Sequence, residues 1–272
     1  EAQTTPEEAG GKVSSLRDPL HDSQVTLGGP VYRNPSAFNL APRVSLAWDV
    51  AGNGKTVIRA GAGFFYDFIG TREIMIAGVR MPPYYRRSVT RNPSFPDLLK
   101  ASAATPPLDS PDTIDFYPDQ PYVLKFRFAL ERRVSAQSIL RLTYAGSRGI
   151  HLTGQLGEFN VTQPTVLADG TLYFPPDAPP RNPAFVRFKT RLTQFNSFYH
   201  GFMAEWRRRW HNNLRFQASY TFSKSIDETS NAIQRDFTAT DLLPNVFNFR
   251  ANRGPSDFDI RHAVTVNGSW LI

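Results

Sequence analysis

Alternation of apolar and polar residues is the strongest pattern in this chain. Between Leu214 and Phe222 every second residue is apolar and every residue in between is polar. The segment from Tyr122 to Glu131 repeats the pattern, with Lys125 and Arg127 on its polar side. Because successive side chains of a β-strand point to opposite sides, both segments predict strands with one apolar and one polar face.

Weaker versions of the alternation recur around residues 43–49, 58–67, 140–144, 202–207 and 264–270. Together the segments predict an all-β chain of about seven antiparallel strands. Strands of about 9 to 11 residues suit a tilted crossing of the hydrocarbon layer of a membrane. Large aromatic residues lie near the predicted strand ends, where an interfacial girdle would place them; they are Trp48, Tyr66, Tyr122, Tyr144, Trp206, Tyr220 and Trp270.

The connections between the predicted strands alternate in length. Short turns are expected near 50–55, 132–137 and 208–213, and long segments near 68–120, 147–195 and 224–258. Long loops are uncommon in compact soluble domains, whereas outer-membrane barrels pair short periplasmic turns with long external loops.

The spacing therefore predicts antiparallel up-and-down transmembrane β-barrel strands with long extracellular loops. The strands that begin near residues 43, 122, 200 and 261 then run toward the periplasm. On this interpretation residues 1–41 are the remnant of an extracellular loop, and residues 42–272 form a partial outer-membrane barrel.

Composition changes this picture little. The absence of cysteine excludes disulfides and thiolate chemistry, and no run of 18 apolar residues predicts a helical membrane span. Residues 1–11 are polar and acidic, so we expect no retained signal peptide. The net charge of +7 is scattered along the chain, which argues against a nucleic-acid partner. A mean hydropathy of −0.37 is compatible with a barrel, because only alternate strand residues are apolar.

No catalytic or metal-binding pattern is convincing. Ser147 lies in a G-S-R-G context rather than a nucleophile elbow, and the glycines of Gly61–Phe65 lack the Lys and Ser/Thr of a phosphate loop. The histidines show no ligand spacing; they are His21, His151, His200, His211 and His262. An acidic stretch lacks the glycine and terminal glutamate of a calcium loop and is expected to be solvated loop charge; it comprises Asp109, Asp112, Asp115 and Asp119. We therefore expect no enzyme, no cofactor and no metal site.

Charged residues on the polar strand faces are the candidate functional set. The candidate lumen-facing residues are Arg59, Lys125, Arg127, Arg141, Glu205, Arg215 and Arg261. Arg207 lies on the same predicted face. We expect most of these cations to pair with carboxylates rather than to line a solute path; the partners within the chain would be Glu131, Glu205 and Asp67.

Five segments along the chain are characteristic. They are NLAPRVSLAWDVAGNGKTVIRAGAGFFYD from Asn39, LRLTYAGSRGIHL from Leu140, FYHGFMAEWRRRW from Phe198, LRFQASYTFSKSIDE from Leu214 and FNFRANRGPSDFDIRHAVTVNGSW from Phe247. Together and in this order they resemble the barrel of one known family, the Oar-like TonB-dependent transporters. The resemblance implies a fragment of a closed barrel of about 22 strands. It also implies uptake of a large or scarce solute across the outer membrane.

The same resemblance implies the partners. They would be outer-membrane lipid, an unknown solute, and the TonB-ExbB-ExbD complex acting through a plug domain. No plug, TonB box or signal peptide is recognised in the sequence, and Ile272 lies inside an apparent strand. We therefore expect the chain to be a fragment.

Two other functions stay open. One is a structural or adhesive outer-membrane barrel whose loops grip polysaccharide or a cell surface. The other is a soluble secreted β-sandwich or propeller that binds carbohydrate. The outer strand faces of such a soluble domain would be polar, which argues against it here; the large apolar residues in question are Phe126, Phe128, Phe216 and Phe222.

Overall fold

The computed structural model describes residues 5, 7, 9–85, 96, 110–186, 189–209, 214–230 and 246–270. Its strands are β1 Ser14–Ser15, β2 Thr26–Leu27, β3 Arg43–Asp49, β4 Thr56–Tyr66, β5 Asp112–Ile114, β6 Tyr122–Ser135, β7 Ser138–Leu156, β8 Thr165–Val166, β9 Leu172–Tyr173, β10 Lys189–Arg209, β11 Leu214–Asp227, β12 Gly254–Pro255 and β13 His262–Trp270. One α-helix, α1, spans Thr71–Val79, and a 3₁₀ turn spans Phe249–Asn252.

Seven long strands form one antiparallel sheet in the order β3-β4-β6-β7-β10-β11-β13. Each long strand pairs with the next one along the chain, so the sheet is a meander. The prediction of about seven up-and-down strands is confirmed. Within the described residues the sheet is open, with β3 and β13 at its edges.

The first short turn, between β3 and β4, contains two glycines with positive φ. Gly52 has φ 66° and Gly54 has φ 65°, a backbone conformation that other residues rarely adopt. The Asp49 carboxylate accepts a hydrogen bond from the Gly54 N–H at 2.6 Å and closes the turn. Residues 210–213 of the expected third turn lie outside the described residues, as does His211.

Successive hairpin turns are staggered along the strand direction. Thr56, at the first turn, lies opposite Arg132, and the Arg133 N–H donates to the Lys55 carbonyl at 2.8 Å. β6 runs on to Ser135 before the second turn. The second turn therefore lies further along the strand direction than the first. Such a stagger between neighbouring hairpins is what the tilted strands of a barrel require.

Strand length differs from the expectation of 9 to 11 residues. β3 has 7 residues, whereas β7 has 19 and β10 has 21. The expectation was wrong for β7 and β10 because these strands continue beyond the membrane-spanning pattern and carry the loop layer. Tyr144 and Tyr220 therefore lie inside strands rather than near their ends.

The described parts of the long connections form a layer with small apolar cores at one end of the sheet. In one core Tyr32, Ile69 and Ile114 are buried together with α1 residue Ala77. The others are the cluster of Leu16, Met81 and Phe185 and the cluster of Leu156, Leu192 and Phe195. The loop layer is thus packed, and it fixes the long strands at that end.

A buried ion pair lies within this layer. β5 runs parallel to the start of β10, which places Asp112 beside Arg191. Arg191 is only 2% exposed, and Arg80 lies 3.5 Å from the same carboxylate. The expectation of solvated charge was wrong for Asp112, because a tertiary contact with a residue far along the chain buries it.

The other residues of the acidic stretch differ from Asp112. The Asp115 carboxylate accepts a hydrogen bond from the Tyr117 N–H at 3.0 Å, and burial raises the pKa of Asp115. Asp109 lies outside the described residues. Within the described part of the chain, no helix is long and apolar enough to cross a membrane.

Candidate functional site

Strand register sorts the side chains of the seven-stranded sheet onto two faces. In one row Arg43, Gly63, Lys125 and Ser147 lie side by side. The next row along the strands consists of Val44, Ala62, Phe126 and Gly146, and its side chains lie on the opposite side of the sheet. We name the first side the polar face and the second the apolar face.

All seven candidate residues lie on the polar face. Arg59 neighbours Ala129, Arg127 lies between Gly61 and Ala145, and Arg141 lies between Glu131 and Glu205. The remaining positions follow from the same register: Lys125 lies opposite Ser147, Arg215 opposite Ser269, and Arg261 beside Ser223. Neighbouring strands thus bring Arg141 and Glu205 into contact, whereas Arg215 and Arg261 lie toward opposite ends of the last hairpin.

Four charged side chains form a row across β6, β7 and β10, which we name the charged belt: Glu131, Arg141, Glu205 and Arg207. The Glu131 carboxylate accepts a hydrogen bond from Arg141 Nε at 2.9 Å and a second from its terminal nitrogen. Arg141 also lies 3.9 Å from Glu205, which in turn pairs with Arg207 Nε.

The centre of the charged belt is shielded from solvent. The Glu205 residue is 6% exposed, and the Gln217 amide donates to its carboxylate at 3.4 Å. Two partly buried carboxylates and two guanidinium groups therefore neutralise one another on a single face. Asp67, the other expected partner, instead accepts from the N–H of Phe68 at 2.9 Å.

A groove lies on the polar face beside the charged belt, toward the loop layer. We name it the cationic groove after Arg43, Lys125 and Arg127, which line it together with Gly61, Gly63 and other uncharged residues, and its volume is about 490 Å³. Because the glycines have no side chain, they leave space in the groove. A Cβ on Gly63 would come within 2.8 Å of the Arg43 side chain. A second groove of about 410 Å³ continues along Arg59, Arg127 and Arg141.

Phe65 organises the cations at one wall of the cationic groove. The Arg43 guanidinium carbon lies 4.5 Å from the centre of the Phe65 ring, and the Lys125 ammonium lies 5.2 Å from it. Cations over a ring face gain electrostatic energy that holds them in place. Tyr199, which lies opposite Ser147 on the polar face, also lines the cationic groove. The sequence analysis missed Phe65 and Tyr199, although aromatic residues at polar-face positions could have indicated them.

The apolar face carries a different set of groups. The seven long strands contain only four carboxylates, all in the polar-face register; they are Asp49, Glu131, Glu205 and Asp227. Charged residues of the apolar face are cationic and lie at its two ends, with Arg132 and Arg208 near the short turns and Arg148 and Lys224 near the loop layer.

Two tyrosine–histidine pairs lie on this apolar face. The Tyr144 hydroxyl and His200 Nδ1 share a hydrogen bond of 2.8 Å, and their rings stack with centroids 6.0 Å apart. Tyr220 and His262 repeat the arrangement at 2.8 Å and 6.1 Å. Each imidazole thus satisfies a hydroxyl that would otherwise be unpaired among apolar side chains.

The described residues contain no group of three or more His, Asp or Glu side chains arranged to hold a metal ion. Large apolar side chains on the apolar face are exposed on the interior strands as well as at the sheet edges, with Phe128 49%, Phe222 46% and Phe202 42% exposed. A run of exposed large apolar side chains on one face is uncommon on a monomeric soluble domain, and it suits contact with lipid.

No curated protein matches this sequence. Among solved structures, the outer membrane transporter YddB from Escherichia coli is 12% identical with a TM-score of 0.45, over 70% of this chain and 20% of that one. The FrpB iron transporter from Neisseria meningitidis (F3-3 variant) is 10% identical with a TM-score of 0.36, over 69% of this chain and 20% of that one. The chain therefore spans about a fifth of the length of these transporters.

A family model described as an outer membrane beta barrel domain matches residues 1–272. This match agrees with the antiparallel meander, the exposed apolar face and the charged opposite face. The chain is thus a protein of the outer membrane, and it belongs to the outer membrane β-barrel domain family.

Proposed function

We propose that this chain is part of the barrel of a TonB-dependent outer-membrane transporter that takes up a large or scarce solute. The polar face lines the lumen of the complete barrel, and the apolar face contacts lipid. The long loops lie outside the cell and provide the first contact with the solute. We assign the chain no catalytic chemistry.

The polar face is the observation that carries the proposal. Small barrels fill their interior with side chains, whereas wide barrels enclose water or a plug. Here the polar face combines the charged belt with the cationic groove of about 490 Å³. Charges and open grooves fit a hydrated lumen better than a dry core, because an unpaired charge in a dry interior costs several kcal/mol.

The cationic groove has two possible occupants within one transporter. An anionic solute and carboxylates of a plug domain would both be attracted by Lys125 and Arg127. We favour plug carboxylates, because arginines of the charged belt beside the groove already pair with carboxylates within the sheet. The dependence on TonB rests on the resemblance of five segments to Oar-like transporters.

A cysteine accessibility experiment tests the lumen assignment. The chain has no cysteine of its own, so within it each introduced thiol is unique. Ser219→Cys and Ala218→Cys are adjacent residues on opposite faces of β11. In proteoliposomes that contain the full-length protein, we expect a charged maleimide to label the first variant at least ten times faster. Faster labelling of the second variant would reverse the two faces and refute the lumen.

Binding of the purified periplasmic domain of TonB to the full-length protein tests the energy source. We expect a complex in a sedimentation experiment. Deletion of the TonB box of the full-length protein should abolish this complex whether or not solute is present. No complex, together with a water-accessible polar face, would refute TonB dependence and favour the structural or adhesive barrel.

A further inference from the structure

The second groove of the polar face contains two arginines that no carboxylate neutralises directly. We name it the arginine groove; Arg59, Arg127 and Arg141 line it, and its volume is about 410 Å³. Arg141 pairs with Glu131 in the charged belt. Among the described residues Arg59 and Arg127 form no salt bridge, although the charge of Glu131 also attracts Arg59 at longer range. Two guanidinium groups of this groove can therefore bind an anion.

Strand register places these two arginines close together. In the pairing of β4 with β6, Arg59 lies opposite Ala129 and Arg127 lies opposite Gly61. The arginines are thus diagonal neighbours on one face, about 7 to 8 Å apart along the backbone, which is within reach of long side chains. Both are exposed. Because the residue opposite each cation has little or no side chain, a ligand has room between the two guanidinium groups.

A buried hydroxyl without a hydrogen-bond partner lies beside the arginine groove. Thr143 lies opposite Ala129, which lines the groove, and diagonally across from Arg127 on the same face. Thr143 is only 3% exposed, and its Oγ1 has no hydrogen-bond partner. Buried hydroxyls are normally paired, because an unpaired one costs free energy. A ligand that accepts hydrogen bonds would satisfy this hydroxyl.

The groups around the arginine groove select an oxyanion. Guanidinium N–H groups donate in a planar fork that matches the oxygens of carboxylates and phosphates. The hydroxyls of Thr143 and Ser45 add further donors, and Ser45 itself lines the groove. An uncharged ligand would leave the repulsion between Arg59 and Arg127 uncompensated, and a cation would increase it.

We propose that the arginine groove binds an oxyanion group, a carboxylate or a phosphate, of the solute that passes through the lumen. Arg59 and Arg127 bind its oxygens from two neighbouring strands, and the Thr143 hydroxyl donates a further hydrogen bond. The inference rests on the proposed transport function and narrows the solute to an anion. A carboxylate of a plug domain has the same chemistry, but it would occupy the groove permanently and exclude a free anion.

Isothermal titration calorimetry of the full-length protein with inorganic pyrophosphate tests the proposal. The titration is made at low ionic strength, because salt screens exposed charges. We expect pyrophosphate to bind, and Arg59→Gln to weaken this binding at least about tenfold through the loss of charge-assisted hydrogen bonds. The matched control is Arg215→Gln, which removes one charge from the same face outside the groove; here we expect a change of less than about twofold.

A second variant, Thr143→Val, separates a binding role from a structural one. It replaces the hydroxyl with a methyl group of similar size, and we expect pyrophosphate binding to weaken about three- to tenfold. Because the hydroxyl has no partner in the sheet, the denaturant midpoint of unfolding without pyrophosphate should stay the same or rise. A lower midpoint with unchanged pyrophosphate affinity would show that the hydroxyl serves the sheet and would overturn the site.

Other outcomes also overturn the proposal. A heat-modifiability gel shows whether each variant has folded. Absence of pyrophosphate binding by the folded full-length protein would show that the groove is filled by a plug carboxylate or binds no anion. A greater loss of binding in Lys125→Gln than in Arg59→Gln would place the anion in the cationic groove instead. Each of these failures leaves the cysteine labelling and TonB experiments, and with them the proposed function, unaffected.

Discussion

An arginine at the centre of the apolar face should destabilise the barrel strongly. In β11 the apolar stretch from Leu214 to Phe222 ends just below Lys224. Nine residues at about 3.3 Å each, tilted by about 40°, cover roughly 23 Å of membrane thickness. Ala218 lies at the midpoint of this stretch, more than about 10 Å from either edge. We expect Ala218→Arg to lower the free energy of unfolding by about 2 to 4 kcal/mol.

Ala218 is a suitable site because little packing is lost with its methyl group. It lies between Trp206 and Val266 on the apolar face, so the guanidinium would enter the lipid directly. The matched control is Ser219→Arg, one residue away on the polar face and opposite Glu205. There the new cation gains a carboxylate neighbour, and we expect a change within about 1 kcal/mol.

The assay is denaturant unfolding of the full-length protein in lipid vesicles, with the folded fraction read from a heat-modifiability gel. A third variant, Leu214→Arg, places the charge at the edge of the stretch, where the cost should fall to about 1 kcal/mol or less. Equal losses of unfolding free energy in Ala218→Arg and Leu214→Arg would show that the cost does not depend on the depth of the charge in the membrane. A greater cost for Ser219→Arg than for Ala218→Arg would refute the assignment of the two faces.

Three further changes test other parts of the structure. Glu205→Gln removes the central carboxylate of the charged belt and leaves Arg141 with one fewer partner; we expect a loss of about 1 to 3 kcal/mol in unfolding free energy. A double-mutant cycle of Tyr144→Phe and His200→Ala should give a coupling energy of about 0.5 to 1.5 kcal/mol in lipid vesicles. Burial raises the pKa of Asp115, so the folded state holds that proton more tightly and stability should fall as pH rises from 3.8 through the raised pKa. Hydrogen exchange of the loop layer measures this trend, and Asp115→Asn should abolish it.

Each of these changes has its own control. Glu131→Gln should cost less than Glu205→Gln, because the Glu131 side chain is 21% exposed and that of Glu205 is 8% exposed. The Tyr220 and His262 pair should repeat the coupling of the first cycle, and strictly additive single mutants would contradict a hydrogen bond in lipid. An unchanged pH trend in Asp115→Asn would assign the effect to another group.

Prediction from sequence worked best where the information was local. The alternation around Leu214 to Phe222 located β11 and both of its faces, because strand periodicity depends only on neighbouring residues. Prediction from sequence was less successful for β7 and β10. In the halves of these strands nearest the loop layer, apolar and polar residues no longer alternate regularly. There the strands continue because they pair with each other and with the loop layer, for instance at Leu192 beside Gly154.

The buried pair of Asp112 and Arg191 could not be predicted. Its members are 79 positions apart in sequence, and β5 reaches β10 only because the loop layer folds back on the sheet. The two tyrosine–histidine pairs could not be predicted for a similar reason, since their residues are 56 and 42 positions apart in sequence. Such pairs need the register between strands, which alternation within one strand does not contain.

The sequence by itself determined the fold class, the approximate number of strands, which residues share a face, and which connections are long. These properties follow from side-chain periodicity and from turn residues, which act over a few positions. Only the tertiary structure decided which charges meet in the charged belt, how the cationic groove forms over Gly61 and Gly63, and how Phe198 comes to contact both Arg148 and Arg253. Those arrangements depend on the register and stagger of neighbouring strands, and register is set cooperatively by the whole sheet rather than by any one segment.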